Sequence, residues 1–426
     1  MGLCANLALI TVFLGTGSLN TISTKLIFQS DGITKSGEIA NYNAEWFSTF
    51  IMFCGELFCF VIYGAMRVVY KYCLAEKFEE KEESLSYQER EALLEKNKYA
   101  LITTDELTRN PTGGLGWKYI LYVTLFAALD IGGTTLGNIG YNNCDASIIQ
   151  IIRGFVIVFT MIVSRIILKA KPVNYQYIGV AFLFLGLILV GVSAVLNALK
   201  TNEFSGDGGV AGVIQGIGLT LIGQIFAAFQ YTLEEKLLKQ DDGSVAPIPP
   251  LFLVGSEGLA GFILCLAVVL PICNAIPGKD HGSYENMSNS FYMFAKNPFI
   301  CGMYVLQICS ISVFNWCGFI YSKNLSAATR TCVDTMRTVV VWIVMVICYY
   351  ATKGDFGESF TKYTTIQVVG FVFMVLGTIT HGNVFSLGSI MTRNCGKEAS
   401  IGEDLVTTKS ENEDEEEDND NIPENI

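Results

Sequence analysis

The feature that most limits how this chain can fold is the recurrence of long apolar runs along most of its 426 residues. Each run is about as long as the roughly 20 residues that an α-helix needs to cross a bilayer. The runs are continuous rather than alternating, which argues against a membrane β-barrel. Only 16% of the residues are charged, against about a quarter in a typical soluble domain. The sequence therefore predicts an all-α membrane protein with many transmembrane helices.

Ten transmembrane spans account for the apolar runs, each placed to within a few residues. They divide the chain into spans 1 and 2 (1–70), a long loop (71–116), spans 3 to 5 (117–200), spans 6 to 10 (201–386) and a disordered acidic tail (387–426). The predicted spans are 3–25, 45–70, 117–140, 144–169, 174–199, 209–235, 250–274, 298–322, 326–351 and 364–385. Span 1 has no Lys or Arg before it, so we interpret it as a retained helix rather than a cleaved signal peptide.

The tail holds most of the net charge of −12. From Lys397 onward there are 12 Asp or Glu and two Lys, a composition too polar and too uniformly charged to fold. The acidity of the whole chain therefore says nothing about a substrate.

The Lys and Arg residues in the loops and at the span ends indicate the orientation of the chain. The loops after the even-numbered spans, with the adjoining span ends and the tail, carry 18 of them, and the opposite side carries 7. Both termini are therefore predicted to be cytosolic, as is the loop 71–116. Asn286-Met287-Ser288 then lies in a lumenal loop, where it is a candidate N-glycosylation site.

The two halves of the chain repeat each other. QYIGVAFLFLGLILVG (176–191) in span 5 resembles QVVGFVFMVLGTITHG (367–382) in span 10, with one Gln and three Gly matched at a displacement of 191 residues. Each half has five spans, an odd number, so the second half enters the membrane from the opposite side. This predicts an inverted-topology repeat, in which secondary transporters hold their substrate at the repeat interface near mid-membrane.

The repeat also matches charged residues within the spans. Arg153 in span 4 corresponds to Arg337 in span 9, and Glu56 in span 2 corresponds to Glu257 in span 7. Ionisable residues inside a membrane usually face a cavity or a partner. The two Arg are therefore predicted to converge on one central cavity. For the two Glu, two interpretations stay open: they bind protons that are coupled to transport, or they pair with Arg residues of other spans.

Three charges interrupt the apolar sequence of span 9. Arg330, Asp334 and Arg337 have the spacing i, i+4, i+7, which puts them on one face of a helix. Arg330 is near enough to the end of the span to snorkel to the interface, whereas Arg337 is about 16 Å deep. Asp334 can pair with either Arg. One interpretation is a salt bridge that locks the helix; the other gives Arg337 an anionic substrate group, with Asp334 as a displaceable counter-charge.

Further polar residues in the spans are weaker candidates. Asp130 in span 3 precedes GGTTLGNIGYN, whose glycines favour close helix packing. Asn315 and Tyr321 in span 8 are candidate substrate contacts, with helix–helix hydrogen bonding as the alternative. Glu234 and Glu235 end span 6 beside a Lys, and we interpret this cluster as an interface anchor rather than a gate.

Four motifs resemble those of the drug/metabolite transporter superfamily, and within it the nucleotide-sugar-transporter-like solute carrier family 35, subfamily F. The resemblance covers roughly residues 115–385. It implies ten helices around a cavity lined by spans 1 to 4 and 6 to 9, with spans 5 and 10 at the periphery, and transport by alternating access. Relatives carry nucleotide sugars and other organic anions, but also vitamins and cationic drugs. The motifs are IIQIIRGFVIVFT (148–160), FQYTLEEKLL (229–238), VGSEGLAGF (254–262) and NLSAATRTCVDTMRTVVVW (324–342).

The loop 71–116 contains two patterns that resemble sorting signals for endosomes and lysosomes. EREALL contributes an acidic dileucine pattern through Glu89, Leu93 and Leu94, and YALI contributes a tyrosine pattern through Tyr99 and Ile102. Clathrin adaptors are the expected partners of such signals. The same stretch also has the periodicity of an ordinary amphipathic helix.

The leading hypothesis is a secondary transporter, not an enzyme, that moves a small polar, anionic metabolite across an endomembrane (lysosome or endosome, with the Golgi as alternative). It would need the lipid bilayer and a small-molecule substrate, with no cofactor, no metal and no nucleic acid; a homodimer stays open. The rival hypothesis is a membrane scaffold that keeps the fold but does not transport.

Overall fold

The fold is known from a computed structural model in which part of the chain is described. The described residues are 3–28, 30–74, 104–108, 110–143, 149, 152–201, 209–239, 247–278, 280, 282–353 and 360–382. Both sorting patterns and the tail 387–426 lie outside these residues.

Helices form where the sequence predicts membrane spans, which confirms the all-α membrane fold. Within the described residues, nine helical stretches are long and apolar enough to cross a bilayer; span 4 is described only at residue 149 and from residue 152. The helices are span 1 Leu3–Phe28, span 2 Glu45–Val69 with a π-helical turn Tyr70–Leu74, span 3 Trp117–Asn143, span 4 Val156–Ile167, span 5 Asn174–Thr201, span 6 Gly209–Leu238, span 7 Pro250–Leu264 continued by Cys265–Val269 and Leu270–Ala275, span 8 Pro298–Asn324, span 9 Ala327–Thr335 and Arg337–Ala351, and span 10 Thr364–His381.

Two loops join at the end of the bundle where span 1 ends. The loop after span 1 forms a hairpin of antiparallel strands, β1 Asp31–Ile33 and β2 Ile39–Asn41. The loop before span 8 contains a helix, Met287–Lys296. The Asn297 side chain donates to the carbonyl oxygen of Asp31 at 2.9 Å, and the Lys35 amide donates to Asn289 Oδ1 at 3.0 Å. We call residues 30–44 and 276–297 together the loop cap.

The loop cap also supplies the first turn of span 2 with an acceptor. The first amides of a helix have no partner within the helix, and the helix dipole favours an anion there. The carboxylate of Glu285, which is buried, accepts from the amides of Trp46 and Phe47, each at 2.9 Å. Each repeat thus contributes one side of the loop cap.

The packing of the helices has the two-fold pattern of an inverted repeat. Spans that correspond in the two halves pack directly on each other: 2 on 7, 4 on 9 and 5 on 10. Other contacts come in related pairs: 1 with 8 and 3 with 6, and likewise 1 with 9 and 4 with 6. Spans 1 to 5 correspond to spans 6 to 10, so replacing each span of one contact by its counterpart in the other half gives the second contact of the pair. The repeat that the sequence predicts therefore organises the tertiary structure.

The repeated glycines of spans 5 and 10 lie at the contact between these two helices. A Cβ added to Gly179 would come within 2.8 Å of the carbonyl oxygen of Gly377, and one added to Gly186 within 2.6 Å of that of Gly370. The two contacts exchange under the repeat, because Gly179 corresponds to Gly370 and Gly186 to Gly377. Small residues allow such close approach of membrane helices, so these glycines serve packing.

Two of the glycines after Asp130, Gly133 and Gly140, also serve packing, as predicted, whereas a Cβ on Gly137 would meet nothing within 4 Å. A Cβ on Gly133 in span 3 would lie 3.2 Å from the carbonyl oxygen of Gly223 in span 6, and the reverse distance is 2.8 Å. Spans 2 and 7 cross just as closely, since Gly258 lies against the backbone of Glu56 and Leu57. This crossing fixes Glu56 and its counterpart in the repeat beside the two-fold axis.

Candidate functional site

A polar cavity lies between the two halves of the bundle. The space between its walls, counting the part that opens to solvent, is about 760 Å³. Spans 1 to 4 and 6 to 9 supply its described lining residues, and spans 5 and 10 supply none. The arrangement implied by the family resemblance is therefore confirmed.

Arg153 and Arg337 both line this cavity, as the repeat predicts. Each lies next to a short 3₁₀ turn that interrupts its helix. In span 4 the Phe155 amide bonds to the carbonyl oxygen three residues back, and in span 9 the Met336 amide does the same. Such 3₁₀ turns inside a helix often mark functional positions. Span 9 is therefore not the single continuous helix that the sequence predicts.

Arg337 keeps hydrogen-bonding capacity inside the cavity wall. Its Nη2 donates to Asp334 Oδ2 at 3.2 Å, a long distance for a bond between two charged groups. Its Nε is buried and has no hydrogen-bond partner. The guanidinium carbon lies 5.2 Å from the centre of the Phe314 ring. Asp334 itself is not among the residues that line the cavity.

Arg330 does not snorkel, and it does not pair with Asp334. Its side chain is only 3% exposed, and Nη1 donates to Glu234 Oε2 of span 6 at 2.8 Å. The guanidinium carbon also lies 4.2 Å from the Tyr231 ring centre and 5.2 Å from that of Phe319. The expectation of an interfacial Arg330 was wrong, because span 6 brings a carboxylate and an aromatic ring to it.

The interpretation of Glu234 and Glu235 as an interface anchor is also wrong. Glu234 is fully buried in the pair with Arg330, and Glu235 is buried as well. Glu235 Oε2 accepts from the amide of Ala327 at 2.8 Å, at the start of span 9, and Lys239 donates to Oε1 at 2.8 Å. Both carboxylates tie span 6 to span 9.

Glu56, Asp130 and Glu257 line the cavity together. The described hydrogen bonds to their carboxylates come from neutral groups. Asn315 Nδ2 donates to Glu56 Oε1 at 2.5 Å, Gln230 Nε2 to Glu257 Oε1 at 2.9 Å, and Thr134 Oγ1 to Asp130 Oδ1 at 2.8 Å. Glu56 Oε2 is buried without a partner. Direct pairing of the two Glu with Arg is therefore not what these contacts show.

The two span 8 candidates are separated by the structure. Asn315 lines the cavity, whereas Tyr321 is 4% exposed in the apolar core, with its ring centre 5.6 Å from that of Phe13. Tyr321 follows Asn315 by six residues, so the two side chains point to different sides of the helix.

Several lining residues carry no charge, and the sequence analysis did not single them out. Gln307 Nε2 donates to Thr24 Oγ1 at 3.2 Å across spans 8 and 1, and Asn138 Nδ2 donates to Thr49 Oγ1 at 3.3 Å across spans 3 and 2. Hydroxyl and amide groups in apolar runs are common, so their positions gave no signal. Within the described residues no cluster of His, Cys, Asp and Glu is arranged to hold a metal ion.

Asn286 lies in the loop cap, outside the spans. Its Oδ1 accepts from the Asn289 amide at 3.1 Å and caps the helix that follows. The side chain is partly exposed.

Comparison with known proteins agrees with this architecture. Residues 100–192 match the EamA-like transporter family. Over 262 residues, 61% of this chain, the sequence is 29% identical to solute carrier family 35 member F6 of Homo sapiens and of Pongo abelii, and the match spans 65% of the length of those relatives. It is 28% identical over 270 residues to an uncharacterised protein of Schizosaccharomyces pombe, covering 63% of this chain and 75% of that protein. The resemblance inferred from the motifs is confirmed as a similarity: residues 100–192 match the EamA-like transporter family, and the chain is similar to the solute carrier family 35 member F6 proteins.

Proposed function

We propose that this chain is a secondary transporter that moves a small polar, anionic metabolite across an endomembrane by alternating access. The observation that carries the proposal is the position of Arg153 and Arg337, which correspond in the repeat and line one cavity between the two halves. The likeness to EamA-like and family 35 proteins supports transport rather than catalysis. Nucleotide-sugar-like solutes belong to this class of anionic metabolites.

Arg337 is the primary anion contact in this proposal. A guanidinium carries five N–H donors, and the long contact to Asp334 together with the unpartnered Nε supports an interaction that a substrate can replace. Asp334 would then act as a counter-charge that is released when an anion binds. A permanent structural salt bridge would instead be expected to satisfy the guanidinium with short, paired bonds.

Glu56, Glu257 and Asp130 balance the charge of the cavity or carry protons that are coupled to transport. Each is held by neutral donors rather than by a described bond to Arg, which leaves its protonation free to change with the solute. A change in the charge of a buried group is a means of driving such a cycle.

We also propose the cellular setting that the sequence predicts. The termini are cytosolic, Asn286 is lumenal and glycosylated, and the patterns around Glu89, Leu93, Leu94, Tyr99 and Ile102 direct the protein to endosomes or lysosomes through adaptors. The orientation follows from the distribution of Lys and Arg. Homodimer formation is compatible with this proposal but not required by it.

Uptake into proteoliposomes tests the transport proposal. Purified wild type is compared with Arg337→Ala, Asp334→Ala and the control Arg165→Gln, an exposed Arg at the far end of span 4. Loss of a charged hydrogen bond to the solute, about 1.5–3 kcal/mol, predicts at least a roughly tenfold drop in uptake for Arg337→Ala. Arg165→Gln is expected to retain wild-type uptake.

Two results would count against the proposal. Full uptake by monodisperse Arg337→Ala and Asp334→Ala would exclude these residues as a substrate site. No uptake of any organic anion by folded wild type, in either direction of loading, would contradict the transport of an anionic metabolite.

A further inference from the structure

The charges of the cavity are separated onto different helices. Spans 2 and 7, which pack on each other, carry Glu56 and Glu257, and span 3 adds Asp130. Spans 4 and 9, which also pack on each other, carry Arg153 and Arg337. We call Glu56, Glu257 and Asp130 the acidic wall, and Arg153 and Arg337 the basic wall; Arg330 of span 9 also lines the cavity and lies within electrostatic range of the acidic wall.

The acidic wall is in excess among the described residues. Arg330 already bonds to Glu234, and Arg337 bonds to Asp334. Counting these partners, five carboxylates accompany three guanidinium groups in and directly behind the cavity wall. Excess charge within a membrane is costly unless it is compensated, so protons or a further positive group must neutralise part of the acidic wall.

The unpartnered atoms of the cavity wall point to the same chemistry. Glu56 is 2% exposed and lines the cavity, and its Oε2 has no hydrogen-bond partner. Asn20 Oδ1 and Gln307 Oε1, in the same cavity lining, are also buried oxygens without a partner. Buried acceptors of this kind are costly when left unsatisfied. A proton on Glu56 would satisfy that carboxylate but would leave the two amide oxygens without donors.

One side chain of the cavity lining, Arg330, is a cation that an aromatic ring and a carboxylate hold in place. The guanidinium of Arg330 lies over the ring of Tyr231 and bonds to the carboxylate of Glu234. Combined aromatic and carboxylate contacts are a common way for proteins to hold cations. The cavity lining is thus able to accommodate a desolvated positive group.

We propose that the transported solute is zwitterionic, with its anionic group on the Arg153–Arg337 wall and an ammonium group on the Glu56–Glu257 wall. An ammonium has three N–H donors, so it supplies positive charge to the acidic wall and donors to the unpartnered oxygens of the cavity lining. This inference rests on the proposed transport function and narrows its substrate class from anions in general to small solutes that carry both charges.

Counterflow into proteoliposomes with three labelled pools tests the inference. The pools are neutral α-amino acids as zwitterions, dicarboxylates with nucleotide sugars as anions, and polyamines as cations. Wild type is compared with the isosteric Glu56→Gln and Glu257→Gln, and with Glu38→Gln as a control on the exposed hairpin. We expect the zwitterion pool to accumulate, and the two cavity variants to lower that uptake by about tenfold or more. Glu38→Gln is expected to match wild type.

The alternatives give different patterns. Uptake of the anion pool alone would overturn the zwitterion inference and leave the transport proposal standing. Uptake of the cation pool alone would overturn both the inference and the anion-binding role of Arg337. If Glu56→Gln keeps the pool preference and loses only the pH dependence of uptake, protons occupy the acidic wall and the inference is wrong. Absence of uptake from every pool by folded wild type would contradict the transport proposal itself.

Discussion

Removing either member of the buried pair between Arg330 and Glu234 should destabilise the protein strongly. The two side chains are 3% and 0% exposed and are joined at 2.8 Å. Forming such a pair adds little net stability, but breaking it leaves an uncompensated buried charge and costs about 3–5 kcal/mol. The variants Glu234→Gln and Arg330→Met test the two halves of this argument.

The two variants should not be equivalent. Arg330 is within electrostatic range of Glu56, Asp130 and Glu257 as well as of Glu234. Removing the shared cation leaves four neighbouring carboxylates, whereas removing Glu234 lowers the negative charge of the cluster. Arg330→Met is therefore expected to lower the free energy of unfolding by about 5 kcal/mol or more, the upper end of the range, and Glu234→Gln by nearer to about 3 kcal/mol.

The measurement is the free energy of unfolding in mixed detergent micelles, with Lys239→Met as the matched control. Lys239 also pairs with a carboxylate of span 6, but its side chain is 37% exposed, so the change should cost no more than about 1 kcal/mol. The double variant Glu234→Gln/Arg330→Met completes a thermodynamic cycle and should cost less than the sum of the single changes. Single variants within about 1 kcal/mol of wild type, or costs that simply add, would refute the reasoning.

Three further predictions concern other parts of the molecule. Gly186→Ala should lower the free energy of unfolding by about 1–3 kcal/mol, because the added Cβ would meet the backbone of Gly370 in span 10. Gly218→Ala, in open space on span 6, is the control and should be neutral or mildly stabilising in the same unfolding assay. Equal effects of the two substitutions would contradict the packing role of Gly186. Burial raises the pKa of the Glu285 carboxyl from 4.5 to about 8, so the folded state binds the carboxyl proton more tightly than the unfolded state does. The stability that this proton contributes should be fully present below pH 4.5 and be lost as the pH rises through about 8. The melting temperature of Glu285→Gln should lack this decline, and identical pH profiles for the variant and wild type would contradict the argument. Glycosidase treatment should shift wild type but not Asn286→Gln on a gel, and an unshifted wild type made in eukaryotic cells would count against a glycosylated lumenal Asn286.

Local sequence signals predicted the elements and their repetition. Helix ends were placed well because uninterrupted apolar runs are long and their boundaries carry capping residues: Asn297 accepts from the amide of Phe299 at the start of span 8, and Pro298 occupies the first helical position. The Gly spacing of spans 5 and 10 revealed the duplication because packing at close range requires the same small residues in both halves.

The partners of the charged residues were not predictable in the same way. Arg330 and Glu234 are 96 positions apart, and helical periodicity identifies only neighbours within one helix. From span 9 alone, Asp334 was the natural partner of Arg330, and Glu234 looked like part of a helix end. The 3₁₀ turn at Met336 was also not predictable, because no Pro or Gly interrupts the sequence there.

The sequence by itself determined a membrane protein of inverted halves, the position of its charges within the spans, and the correspondence of Arg153 with Arg337 and of Glu56 with Glu257. The length of the apolar runs and their repetition are properties of the sequence, so they can be recognised from the sequence directly. Only the tertiary structure decided that these pairs form two walls of one cavity and that Arg330 is held by span 6. Which charges meet depends on how helices distant in the chain cross, and that is set by the packing of their surfaces rather than by the sequence of either one.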